Sequence, residues 1–186
     1  MTLQRFLLSA GLDKKDRYQM NDSPAAQPLD HNLFRKALSR FPTGVGVATT
    51  VSANGQPRGM TISSFNSVSM TPPLILWSIG LEAACFEDFR QADKFAVNIL
   101  SAHQAEVSQT FASAQEDRFT AIDWSLSAFG VPLIHGAAAI FECQVWARYP
   151  GGDHDIIVGE VRHLTDNDKT PLLYGLGRLT SFPLEG

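Results

Sequence analysis

Between Gly59 and Ser69 the chain reads GMTISSFNSVS, and five of these eleven residues carry a hydroxyl. As one extended strand, with side chains alternating between faces, it sets Thr61, Ser63, Ser67 and Ser69 on one side with Phe65. Met60, Ile62, Ser64, Asn66 and Val68 take the other side. No charged residue occurs from Gly59 to Ile79. A solvated strand edge ordinarily recruits charge. A dense set of neutral donors and acceptors beside an apolar run points instead to a polar, uncharged, planar ligand with many heteroatoms.

Two shorter motifs flank this segment. In FPTGV, 41–45, a helix end runs into a strand, so the Thr43 hydroxyl and the backbone N–H groups beside Gly44 can cap a ligand. In GGDHD, 151–155, His154 stands between two aspartates in a turn-forming sequence that can hold its imidazole in one orientation. The edge of a flavin ring, with its alternating ring nitrogens and carbonyls, has the donor–acceptor pattern that the hydroxyl segment suits.

Other chemistries are disfavoured. GxxxxGK[ST] and GxSxG are absent. GVGVAT and GLGRLT lack the third glycine and the βαβ setting of a dinucleotide fingerprint. The five histidines include no i, i+4 pair, which disfavours a helical metal site. Net charge is −4, so no global basic field exists for nucleic acid or an anionic membrane. Cys85 and Cys143 form no CxxC motif and read as small core residues in a reducing compartment. No apolar run reaches the roughly 18–20 residues of a membrane span, and MTLQRFLLSAGL lacks the basic opening of a signal peptide. The expected location is cytoplasmic.

The elements that must position these residues can be read next. Residues 1–30 are polar, carry two prolines and show no apolar period, so they are expected to form a mobile tail, with Met20 a candidate start. The domain is expected over 31–186. Asp30 caps an amphipathic helix that ends before Pro42. Residues 44–65 read as strand, turn and strand, with Asn54-Gly55 as the hairpin signal. PLILWSI, 73–79, reads as a strand buried on both faces, and KFAVNIL, 94–100, as another. Helices are expected over 82–92 and 102–112, with a looser region at 113–132. Residues 137–149 alternate, with Ile140, Glu142, Gln144 and Trp146 opposite Phe141, Cys143 and Val145, and 155–164 returns as their hairpin partner. A last strand lies in 171–179. Six or seven strands without βαβ alternation exclude a doubly wound sheet and fit an antiparallel barrel with outer helices.

The ordered set FPTGV (41–45), GMTISSFNSVSMTPPL (59–74), KFAVNIL (94–100), DRF (117–119), GAAAIFECQV (136–145), GDH (152–154) and VGEV (158–161) resembles the short-chain flavin reductases. These are flavin-reductase-like split-barrel proteins that supply reduced flavin to two-component monooxygenases. The resemblance runs from Phe34 to Leu179. It implies a mainly β fold, a six-stranded antiparallel Greek-key split β-barrel with a few short flanking helices, assembled as a homodimer. It implies FMN or FAD as flavin, NADH or NADPH as hydride donor, and a monooxygenase partner reached by diffusing reduced flavin. The alternative is a split-barrel module that binds flavin tightly as an electron carrier or oxidase.

By position, the resemblance places Thr43 and Gly44 near the flavin, and Thr61, Ile62, Ser63, Ser64 and Phe65 at the ring edge and ribityl chain. It places Ser78, Ala83 and Ala84 near the phosphate, at the start of a helix, with Arg118 as a further cation, and His154 beside the nicotinamide. Two departures stand out. Ser63 replaces a frequent Asn, and the turn IGLEAACF carries Glu82 where the family often has a basic residue and a Ser/Thr pair. Arg58, Arg148 and Arg162 are candidates for a 2′-phosphate contact.

Overall fold

The computed structural model describes residues 29–113 and 117–182. The tail expected over 1–30 therefore lies outside the described residues, apart from Leu29 and Asp30. The chain divides at Arg35 into two units, and everything from Lys36 onward belongs to the second. Helix α1, His31–Leu38, starts as its sequence dictates: Asp30 Oδ1 accepts the backbone N–H groups of Asn32 at 2.8 Å and Leu33 at 3.3 Å. Strand β1, Thr43–Gly44, follows Pro42.

Strands β2, Gly46–Val51, and β3, Pro57–Ile62, form the expected hairpin, and Gly55 takes the left-handed conformation (φ 79°) that its turn requires. The next segment differs from the expectation of one strand. β3 stops at Ile62, the chain bends through Ser63–Phe65, and β4 runs over Asn66–Met70. β5 covers Pro73–Gly80, α2 Phe86–Gln91, β6 Lys94–Ile99 and α3 Ala105–Ala112. The region expected to be loose holds a 3₁₀ turn, Arg118–Ala121, and β7, Trp124–Leu126. Then come β8, Pro132–Ile134, β9, Ala139–Pro150, β10, His154–Asp166, β11, Leu172–Gly175, and β12, Arg178–Ser181.

The fold is mainly β and antiparallel. Seven strands, not six, form the main sheet in the order β3-β2-β6-β9-β10-β5-β4. The extra strand is β4, created by the break at Ser63–Phe65. β1, β11 and β12 form a second sheet, and β7 and β8 a hairpin.

The two edge strands of the main sheet, β3 and β4, are consecutive in the chain. From Ile62 to Asn66 is four residue steps, which cannot span more than about 14 Å. Seven strands laid flat would separate their edges by about 29 Å. The sheet must therefore curl until its edges meet at the bend. The described residues show no ladder across this seam. Burial agrees, because one apolar cluster takes Ala48 and Ile62 from one side of the curl, Ile75, Trp77 and Ile79 from the other, and Phe95, Val97, Cys143 and Ile157 between them.

β5 corrects a second expectation. Ile75, Trp77 and Ile79 are buried, whereas Leu74, Leu76 and Ser78 on the outer face are only half-buried. A central strand bonded on both edges still shows just one face to the core. The alternation expected through Trp146 is also interrupted. The β9–β10 register shifts at Val158/Gly159, so Trp146 is an extra, unpaired residue and lies 55% exposed.

Packing inside the curl is tight. Trp77 is fully buried and meets the rings of Phe89 and Phe95 edge-on at 4.9 and 5.9 Å. Buried Asn98 ties the hairpin to the sheet: its amide donates to Val47 O and Thr49 Oγ1, both at 3.1 Å, and its carbonyl accepts from Ile134 N–H at 2.9 Å. At Gly159 a Cβ would stand 2.4 Å from Phe95 Cζ and 2.8 Å from Cys143 Cβ. Gly159→Ala is expected to cost at least about 1–3 kcal/mol through overpacking, read as a lower urea midpoint at unchanged m. A wild-type midpoint would show that this approach is not tight.

Candidate functional site

The bend that closes the curl also lines a depression of about 440 Å³ on the outer face of the sheet. That volume lies in the range of small-molecule sites. Met60 to Ser64 form one wall, Ser78 and Gly80 of β5 the floor, and Gly151, His154 and Ile156 the opposite wall.

The bend's polar groups divide into two sets. Ser64 Oγ accepts the Ser78 N–H at 2.9 Å and donates to the Ser78 carbonyl at 3.2 Å. It thus bridges the β5 main chain where the ladder is interrupted. Thr61 Oγ1 donates to the Ser108 carbonyl of α3 at 2.7 Å. These two hydroxyl protons are committed to the fold. By contrast, the amides of Ser63, Ser64 and Phe65 find no acceptor among the described residues, and the exposed Ser63 hydroxyl is equally unengaged. Three successive N–H groups and one hydroxyl of the bend are therefore left without a partner among the described residues.

His154 stands across from them. It is the direct cross-strand partner of Gly80, and a Cβ placed on Gly80 would lie 3.6 Å from its Nε2. Its Nδ1 is held by Asp153 Oδ1 at 2.7 Å, which fixes the ring and leaves Nε2 on the depression side. The hydrogen bond from His154, and then its charge, lowers the Asp153 carboxyl below its ordinary value. The turn beneath is closed by Gly151 N–H to His154 O at 2.7 Å and is joined to the β5 end by Leu81 N–H to Asp153 O at 3.0 Å.

A second depression, of about 650 Å³, lies along the first half of β3, at Pro57–Gly59. Arg58, Gly59, Ala84, Asp88 and Arg118 are among its walls. Gly59 and Met60 are neighbours in β3, and the turn Gly80–Ala84 runs from the floor of the first depression to the wall of the second.

The residues singled out in the sequence distribute unevenly. Thr61, Ile62, Ser63, Ser64, Ser78 and His154 converge on the first depression, and Ala84 and Arg118 on the second. Ala83 lies between, half-buried against the core, with its N–H on Gly80 O at 3.0 Å. Phe65 turns inward onto Phe141, ring centroids 5.2 Å apart. Thr43 and Gly44 pair with Tyr174 and Leu173 of β11 and line neither depression, although Thr43 Oγ1 is buried without a partner.

Arg148 donates to the Phe89 and Ala92 carbonyls at the end of α2, Arg58 pairs with Asp88 at 3.1 Å, and Arg162 with Glu160 at 3.2 Å. The sequence reading anticipated an aspartate holding His154 but gave no role to Gly80 or Gly151. Asp153 was legible in GGDHD itself, whereas nothing local marks Gly80 as the partner of His154.

The first depression thus sets the partnerless donors of the bend across the β5 floor from an imidazole held by Asp153. Residues 38–183 match the family model described as flavin reductase like domain, and the chain belongs to that family. It is 42% identical over 149 residues to the FMN reductase (NADH) SmoA of Agrobacterium fabrum, covering 80% of this chain and 84% of that protein. It is 41% identical over 132 residues to the reductase component of the flavin-dependent trigonelline monooxygenase of Acinetobacter baylyi, covering 71% of this chain and 43% of the relative. The chain thus spans about half the length of some curated relatives, 49% in a case from Rhizobium meliloti. Its structure is similar to the NADH:FAD oxidoreductase SgcE6 of Streptomyces globisporus, solved with NAD and FAD fragments. That match has a TM-score of 0.81 and 37% identity, over 88% of this chain and 99% of that one.

Ser64→Ala removes the bridge to Ser78. It should lower stability by about 1 kcal/mol and speed amide exchange at Ser78. Unchanged exchange there would exclude a clamping role for this hydroxyl.

Proposed function

We propose that the protein is an NADH-dependent flavin reductase that supplies reduced flavin to a separate monooxygenase. The observation that carries this reading is the bend: three amides without internal acceptors and the Ser63 hydroxyl, opposite an imidazole held by Asp153. A flavin ring edge fits this donor row, and the bound flavin supplies the redox chemistry by accepting a hydride from a reduced nicotinamide.

The chain's own contribution is placement. The amides of Ser63, Ser64 and Phe65 orient the ring edge. Thr61 and Ser64 keep the bend in place from behind, through Ser108 and Ser78. His154 directs Nε2 over Gly80 and positions the nicotinamide, with Asp153 holding the imidazole from the other side. Hydride transfer needs no general base, so the His154–Asp153 pair acts here by position. Ser63, Ser64 and His154 are exposed, so a flavin here stays accessible and can leave for a partner. Arg58, Arg148 and Arg162 are each engaged internally, which favours NADH over its 2′-phosphorylated counterpart.

The assembly we infer is a homodimer. Val68, Met70, Trp146 and Leu164 are large, apolar and exposed on β4, β9 and β10 of the same sheet, and a second copy would cover them. We place the protein in the cytoplasm. Both cysteines are buried and unpaired, with the Cys143 thiol pushed up to about 12 by burial, as suits a reducing compartment. No helix among the described residues is long and apolar enough to cross a membrane.

With NADH and FMN, the purified protein should consume NADH, read as falling absorbance at 340 nm. His154→Ala should raise KM for NADH about tenfold with little change in flavin affinity. No NADH consumption would overturn the assignment, and lost flavin binding in the variant would overturn the role of His154. Light scattering should give twice the chain's 20.3 kDa. A mass equal to one chain would exclude the dimer.

A further inference from the structure

We propose that the β7–β8 hairpin carries a second, hydrolytic site. In it Ser125 is a nucleophile toward small activated carboxylic esters, His135 is its base and Asp123 orients that base. The inference is independent of the flavin reading, because none of these residues lines either depression.

The register of the hairpin brings the three together. Trp124 pairs with Ile134, and Ser125 with Leu133. Trp124 packs on the ring of Phe119 at 5.1 Å and Ile134 is buried, so alternation turns Asp123, Ser125 and His135 to the opposite face. All three are exposed. His135 Nε2 stands 2.8 Å from Ser125 Oγ, and Nδ1 stands 3.0 Å from Asp123 Oδ1. A carboxylate can only accept, so it favours the tautomer with the proton on Nδ1. Nε2 is then the acceptor, and the Ser125 hydroxyl donates to it. The order carboxylate, imidazole, hydroxyl is defined by geometry and recurs on unrelated folds.

The frame around these side chains is fixed by the main chain. His135 N–H donates to the Asp123 carbonyl, and Ser127 N–H to the Val131 carbonyl, both at 3.0 Å. The His135 carbonyl accepts the side-chain amide of Gln104 at 2.7 Å. Ladder bonds therefore run from the odd-numbered residues of this strand, and the Leu126 N–H points to the free edge of a two-stranded sheet. An amide without a ladder partner thus follows the nucleophile directly. A developing oxyanion needs such a donor.

The reaction closes without a cofactor. Oγ bonds to the ester carbonyl carbon, and its proton passes to Nε2. The bond from that carbon to the alcohol oxygen breaks, and the alcohol leaves with the proton. Water then gives a proton to Nε2 and adds to the acyl carbon. The bond to Oγ breaks and the proton returns to Oγ, so one ester and one water yield one acid and one alcohol.

The test uses the full chain and p-nitrophenyl acetate, without flavin or NADH. Nitrophenolate should appear at least about tenfold faster than with Ser125→Ala, and mass spectrometry after a rapid quench should find an acetyl group on Ser125. His135→Gln can still accept the hydroxyl's hydrogen bond but takes no proton, and should be as slow as Ser125→Ala. Asp123→Asn should be about tenfold slower, with recovery in Asp123→Glu. Release no faster than with Ser125→Ala overturns the proposal, as do acetyl groups confined to lysines in the wild-type protein, a result that needs no variant to fold. Wild-type release by His135→Gln also overturns it. NADH oxidation with FMN should be unchanged in Ser125→Ala, so either reading can fail without the other.

Discussion

The structure depends on a short tether. Three residues, Ser63–Phe65, join the two edges of a seven-stranded sheet, and that length forbids a flat arrangement. The curl follows, and with it the single core in which Ile62 from one edge packs with Ile75 and Trp77 from the other side. It also demands close approach inside, which Gly159 permits under Phe95. The tether cannot continue either strand's ladder, so its amides lose their backbone acceptors. The same constraint that closes the fold produces the unpaired donors of the site.

This explains why the site is neutral. Backbone amides bring partial charge without a counterion and cost no side-chain entropy. They suit a ring edge that presents carbonyls and ring nitrogens. The charged residues nearby are all engaged with one another or with the main chain: Asp153 with His154, Arg58 with Asp88, Arg118 with Gly59 and Ser113. They shape the walls and hold β3 in place.

Much of this was legible along the chain. The Asp30 cap, the Asn54-Gly55 turn, the apolar core strand at 73–79 and the long hairpin of 139–166 follow from local patterns, because capping, turn conformation and side-chain alternation are short-range effects. The candidate cluster was legible too, since Thr61, Ile62, Ser63, Ser64, Ser78 and His154 do converge. What misled was the even spacing of hydroxyls in GMTISSFNSVS, which reads as one strand face. Nothing in those eleven residues signals a bend, because the break is imposed by the closing sheet.

The sequence by itself determined the classes of group available: neutral hydroxyls and amides from 59 to 69, a histidine beside aspartate, and no spare charge. Those depend only on residue identity and order. Tertiary structure alone decided their roles. It turned the Thr61 and Ser64 hydroxyls inward onto the Ser108 and Ser78 backbone, sent Phe65 to the core and put Gly80 under His154. It left the amides of the bend without backbone acceptors. A hydroxyl bonds whichever partner comes within about 3 Å, and that partner is set by strands far apart in the chain.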